Sequence, residues 1–348
     1  MNWHESDDSS VRREGCKKAL ESGDRSAIPA LASLLADPDR GVQDAAFEAL
    51  HGFGGKETAE AVLPCLGSPN ERMRNLAREV LAPLAEPYPE IFLPYLQSPD
   101  ADVRIFIVEL LSRWKDQRSL SEITPLVNDE HPNVRSQVAI TLGDLGFPEG
   151  ADLLVRLVAD EEDWVRLAAI EALGKISGSV SMETLVRVAK EGDALLSGCA
   201  VDALLLQRDP RVPEIVLGLL PRIADDPAAC SQAIASILDI LEAHPDVKIP
   251  AEAIELARPV FESIIEKGGV WDKVRAIRML QAVDDRAAVP LLFSLFDKGE
   301  VPPLLVAIEA VGKMQPADAE DRLKKLLKHS DAEVVERARE ALNQLKKK

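Results

Sequence analysis

Apolar residues return along this chain with a fixed, long period. A small or aliphatic residue is followed by a polar or basic one, and a leucine stands eight positions after the first. The register falls at Val42-Gln43 with Leu50, Met73-Arg74 with Leu81, Val103-Arg104 with Leu111, Val134-Arg135 with Leu142, Val165-Arg166 with Leu173 and Leu196-Ser197 with Leu204. The first residues stand 31, 30, 31, 31 and 31 apart. The register returns at Val334-Val335 with Leu342, and a degenerate copy ends in Glu309-Ala310-Val311-Gly312. A constant period of this size marks a stacked repeat, in which each unit covers the apolar face of its neighbour.

Within one period the pattern predicts two helices. An apolar stretch such as Ala27–Leu35 comes first. A turn follows, as at Asp37-Pro38-Asp39, Ser68-Pro69-Asn70, Ser98-Pro99-Asp100 and His131-Pro132-Asn133. The second helix then carries Val165, Ala168, Ala169, Ala172, Leu173 and Ile176, the i, i+3, i+4, i+7, i+8 spacing of one buried face. Asp, Asn or Ser ahead of it can accept hydrogen bonds from its free N–H groups. Alanines in the stripe, with Gly143 and Gly174 just after the leucine, let neighbouring helices come close. No alternating strand pattern is visible. The expected fold is all-α: an α-solenoid of about ten stacked antiparallel helix pairs, with an irregular middle.

These residues carry a family resemblance. The string from Asp160 to Ile176 resembles a HEAT repeat of the bacterial phycobilisome-lyase-like type. That resemblance implies a hydrogen-bonded ladder between repeats, with Asp37, Asp129 and Asp160 at the acidic positions and Arg74, Arg104, Arg135 and Arg166 at the basic ones. Ser68, Ser98 and Glu191 stand in place of Asp, and Gln43 and Ser197 in place of Arg. The likeness is close over residues 26–205, looser over 286–345 and weak over 206–272. It specifies a fold far better than a function.

The organisation read from the pattern is one continuous solenoid in three stretches: regular repeats over 1–205, an irregular helical segment over 206–272 and returning repeats over 273–348. The period is lost between Leu204 and Val274, an interval holding Pro210, Pro213, Pro221, Pro227, Pro245, Pro250 and Pro259. Longer helices are expected there, for example Ala251–Glu266 ending before Gly268-Gly269. Such a departure either falls on the functional face or bends the stack.

Charge narrows the partner class. The chain has 41 Lys and Arg against 59 Asp and Glu, a formal net charge of −18. Sequence-independent nucleic-acid binding draws its affinity from cations that neutralise phosphates, so nucleic acid is not the expected partner. Residues 320–348 run the other way, with nine basic against six acidic residues; Lys346-Lys347-Lys348 suits a solvated helix end. Met1–Ser10 has neither a basic start nor an apolar core, and no run of eighteen apolar residues occurs. Neither a secretory signal nor a membrane span is therefore expected. Cys16, Cys65, Cys199 and Cys230 are scattered, with no Cys-x-x-Cys pair, and are expected as reduced thiols in a cytoplasmic protein.

A search for chemistry finds no phosphate loop, nucleophile elbow or His-Glu-x-x-His motif. The five histidines fall at unrelated repeat positions. No catalytic residue, metal or cofactor is expected. Candidate binding residues are those that break the repeat. Trp164 takes a position held elsewhere by Gly41, Arg72, Asp102 and Asn133, so it is either a solvent-facing anchor or a ring lying flat on the next repeat. Trp271, ahead of Asp272-Lys273-Val274-Arg275, invites the same argument. If the two face one side, they bracket a groove. Trp114 matches Leu145 and Ile176 and is expected in the core. Phe106 replaces a small residue, and Tyr88, Phe92 and Tyr95 form an i, i+4, i+7 set before it. These are either a repacked core or an aromatic patch. Arg135 and Arg166 belong either to the structural ladder or to a basic stripe for an acidic or phosphorylated partner. The function expected from this pattern is a non-catalytic protein-binding scaffold or adaptor, in a bacterial regulatory or signalling assembly. The alternatives are a phycobiliprotein chromophore lyase or chaperone-like factor, implied by the resemblance, and a DNA-binding helical-repeat protein, disfavoured by charge.

Overall fold

The computed structural model describes residues 3–114, 117–297 and 300–346. Lys347 and Lys348 lie outside the described residues. Among the described residues every regular element is an α-helix or a 3₁₀ helix, and there is no strand. An opening helix, Ser9–Ser22, is followed by ten helix pairs ending in Ala319–Leu326 and Ala332–Leu345. The chain forms two compact units, Met1–Ala172 and Leu173–Lys348.

In the first unit the two helices of a pair differ in length, and in three of the pairs proline is the reason. The second helices run long, as in Arg40–Phe53, Ala101–Trp114 and Pro132–Leu145. In the first unit the first helices are short, and three finish in 3₁₀ turns at Leu63–Gly67, Leu93–Gln97 and Thr124–Asn128. Pro64, Pro94 and Pro125 each stand second in such a turn. Proline offers no N–H to the α-helical ladder, so the chain tightens into a short 3₁₀ piece. One consequence is that Tyr88, Phe92 and Tyr95 do not share one helix. Tyr88 precedes the single turn Pro89–Phe92, Phe92 is buried, and Tyr95 lies in the 3₁₀ turn.

The second helices start where the turn residues dictate. Asp39 accepts from the Val42 N–H at 3.1 Å, Asn70 from the Met73 N–H at 3.2 Å and Asp193 from the Leu196 N–H at 2.9 Å. Each bond satisfies one of the donors left open in the first turn.

Packing follows the repeat. In the first unit Ser9–Ser22 packs on Arg40–Phe53, and Ala101–Trp114 on Pro132–Leu145. In the second, Val270–Ala282 packs on Val301–Met314, which packs on Ala332–Leu345. Close approach requires glycine at one point of this contact. A Cβ on Gly143 would stand 2.8 Å from the Cα of Ala172, and one on Gly312 would stand 2.9 Å from the Cβ of Ala341. Val165, Ala169, Ala172, Leu173 and Ile176 are buried as the spacing predicts. Trp114 is only half-buried, and its indole N–H is enclosed without an acceptor among the described residues.

The stretch 206–272 keeps the helix alternation but changes its lengths. Val212–Leu219 pairs with Pro227–Ala243, and Ala251–Lys267 with Val270–Ala282. Ala251–Lys267 stops at Gly268, one residue past the expected end, and carries Pro259 in its interior.

Candidate partner-binding surface

The arginine row is resolved by its hydrogen bonds. Arg135 holds Asp160, 25 residues ahead, through two bonds of 2.7 and 2.9 Å, and donates to the Asp129 carbonyl six residues behind at 2.9 Å. Arg104 repeats this on Asp129, at 2.8 and 2.7 Å, and on the Ser98 carbonyl. Arg12 repeats it on Asp37 and the Ser6 carbonyl. Each guanidinium thus ties its own turn to the carboxylate of the following repeat, a bidentate geometry that lysine could not supply. The hydrogen bond from Arg135 holds Asp160 below the usual carboxylate range, against a smaller opposing effect of burial. The same bond raises Arg135.

The ladder is broken at Gln43 with Ser68 and at Arg74 with Ser98. Gln43 stands where the partner 25 residues on is Ser68, and it donates instead to the Asp37 carbonyl at 2.6 Å. Ser98, 24 residues after Arg74, takes the acidic place there, and among the described residues Arg74 keeps the carbonyl bond, to Ser68 at 2.8 Å. Arg166 holds the Asp160 carbonyl at 2.7 Å and pairs with Asp163 at its own helix start.

The candidate residues therefore separate. Arg135 lies inside the stack with its donors satisfied, and Phe106 is 4% exposed, with the Arg78 guanidinium 5.3 Å from its ring centre. Neither is offered to a partner as it stands: the first is a ladder arginine, the second a core ring filling the place of an alanine. Arg166 is partly exposed but held by its own turn. Trp164, in the first unit, is 46% exposed, and Trp271, in the second, is 68% exposed. Both sit in the first turn of a second helix, Asp163–Lys175 and Val270–Ala282.

Two features escaped the sequence. The Arg12–Asp37 rung was legible in principle: Val11-Arg12 stands 31 residues before Val42-Gln43, but Ala19 replaces the expected leucine. The second is an apolar cleft of about 360 Å³ in the second unit, lined by residues that no period connects, among them Pro221, Pro227, Leu256 and Pro259. Cys230 also lines it, and loss of water pushes its thiol up to about 11. Cys16 is raised to about 11 for the same reason, and Cys65 is raised too. These three buried thiols are poor nucleophiles. Cys199 is half-buried.

Comparison with known proteins agrees with this construction. Residues 3–82 and 89–174 match HEAT repeats. HEAT repeats are thus found within residues 3–174. The match covers the stretch that carries the three bidentate rungs, and it does not extend to the phycobilisome-lyase-like type. No curated protein matches the chain. Among solved structures, the crystal structure of an engineered protein is similar at 21% identity, over 98% of this chain and 97% of that one. Its TM-score is 0.38, too low to carry an argument. No helix among the described residues is long and apolar enough to cross a membrane.

Proposed function

We propose that the protein is a non-catalytic protein-binding scaffold or adaptor. HEAT repeats are typical of protein-interaction scaffolds. The observation that carries the reading here is the contrast between satisfied interior charge and uncovered apolar surface. The ladder arginines and aspartates bond one another within the stack, while Trp164 and Trp271 stand in solvent at helix starts. Exposed tryptophans on a rigid frame bind with little ordering cost, and tryptophan is enriched among residues that dominate interface energy. The net charge of −18 favours encounter with partners that are not strongly acidic.

Affinity capture on the intact chain, compared with Trp164→Ala and Trp271→Ala, tests this. Both substitutions are expected to leave thermal stability within about 0.5 kcal/mol, as exposed sites do. At least one should lose a specific partner, with affinity down roughly thirtyfold. A melting transition that collapses in both variants, with capture failing only in parallel, would turn the two rings into packing residues and remove the basis for the reading. Covalent transfer of a bilin to a phycobiliprotein would replace the scaffold with the lyase.

A further inference from the structure

The apolar cleft of the second unit has the form of a docking site, and its surroundings say what kind of segment fits it. Helix Ala251–Lys267 contributes Leu256, Pro259, Val260 and Ile264 to its lining, opposite Pro221 and Pro227. The cleft is about 360 Å³, within the roughly 300–1,000 Å³ range of ligand pockets. Leu256 lines it and is nonetheless 55% exposed, so a wall of the cleft is uncovered apolar surface. Gly268 and Asp272 both line the cleft, and between them in the chain stand Val270 and Trp271, both exposed. Leu256 lines the cleft, and Val270 and Trp271 follow its lining residue Gly268 within three positions, so exposed apolar side chains adjoin the cleft in the chain, as at an interaction site. A small molecule seated in the cleft would not cover Trp271.

Charge at the mouth selects among segments. Two charged residues line the cleft, Lys267 and Asp272. Asp272 is already answered: it accepts from the Ser231 hydroxyl at 2.5 Å and from Arg275 at 2.9 Å. Lys267 is exposed and forms no ion pair among the described residues. The uncompensated charge at the mouth is therefore positive, in a chain that is otherwise strongly acidic. We propose that this cleft is a docking site for a linear segment of a partner protein that inserts a large apolar side chain between Leu256 and the prolines, lays further apolar surface on Trp271, and places a carboxylate against Lys267. This rests on the scaffold reading and assigns it a site and a ligand chemistry.

Selection of short linear peptides from a display library on the full-length protein tests it. Selected peptides should share a large apolar residue next to Asp or Glu. Their affinity should fall roughly thirtyfold on Leu256→Asp or Trp271→Ala, the loss of a central anchor. It should fall about tenfold on Lys267→Glu, with a weaker loss at high salt. Leu256 and Lys267 are exposed, so both variants should keep the far-UV circular dichroism of the parent; if Leu256→Asp does not, Lys267→Glu decides the charge arm alone. Peptides that bind but ignore Leu256, Trp271 and Lys267 overturn the docking site and leave the scaffold reading standing. Selection of basic peptides that depend on Leu256 overturns the assigned chemistry. If no peptide binds and dodecanoate instead titrates the tryptophan fluorescence, with the response lost in Leu256→Asp, the cleft belongs to a small amphiphile and the segment is refuted. Binding of neither class removes the cleft from function altogether.

Discussion

Residues 98–166 and residues 219–272 use helix pairs in opposite ways. In the first stretch every interior charge has a fixed place. Arg104 and Arg135 reach across to Asp129 and Asp160, and each returns a third bond to its own turn. In the second stretch the ladder is missing, the helices lengthen to 17 residues, and prolines line a cleft. A bidentate pair between helix pairs remains here, Arg258 with Asp285 at 2.9 and 3.0 Å. It spans 27 residues rather than 25, and its arginine sits on a first helix rather than a second. The lesson is that a strict period and an open surface compete. A repeat that satisfies its neighbour with the same side chains each time leaves little uncovered; one that departs from the register leaves walls without a cover.

The sharpest way to break this comparison is to remove one rung. Arg135→Ala takes both side-chain bonds from the part-buried Asp160 and should cost about 1–3 kcal/mol in a denaturant melt. Arg74→Ala, on a rung that has only a carbonyl bond, should cost about 1 kcal/mol. Equal losses at the two sites would mean that the bidentate bond is not what holds the repeats.

The next effect is steric. Gly143→Ala drives a methyl into the backbone of Ala172 and should cost about 1–3 kcal/mol. Gly198, in helix Ala194–Leu206, has open space around it, so Gly198→Ala should stabilise by up to about 1 kcal/mol through helix propensity. Thermal shifts of opposite sign are expected from the same chemical change.

A smaller effect is set by pH. Asp160 lies below its unfolded value when folded, so the contribution of its pair is complete above the unfolded carboxylate value of about 3.9 and is lost as pH falls through the folded value. Asp160→Asn should be less stable than the parent at neutral pH, and the gap should close in acid below pH of about 4. A gap that stays constant through that range would show that the carboxylate charge is not the source. The smallest effect belongs to a helix start. Asp39→Ala removes the bond to the Val42 N–H and should cost about 1 kcal/mol.

Much of the architecture was legible. The leucine register placed the second helices, and the turn residues named their caps. The arginine row was visible as a row, but its partners were not. Spacing puts Arg135 and Asp160 one repeat apart; only packing shows that the side chain points inward and reaches the next turn. Phe106 shows the same gap in reverse. A phenylalanine in an alanine position reads equally well as a patch or as core, and burial under neighbouring helices decides for core. The short first helices of the first unit do not show in the apolar pattern; their mark is a breaker, Pro64, Pro94 and Pro125, recurring 30 and 31 residues apart.

The sequence by itself determined the all-helical repeat, the starts of its second helices and the acidic balance of the chain, because these depend on local spacing, capping and composition. The tertiary structure alone decided which charges meet, which rings are covered and where a cleft opens. Those outcomes depend on residues such as Pro221, Leu256 and Asp272, brought together from three separate segments by helix lengths that no local rule dictates.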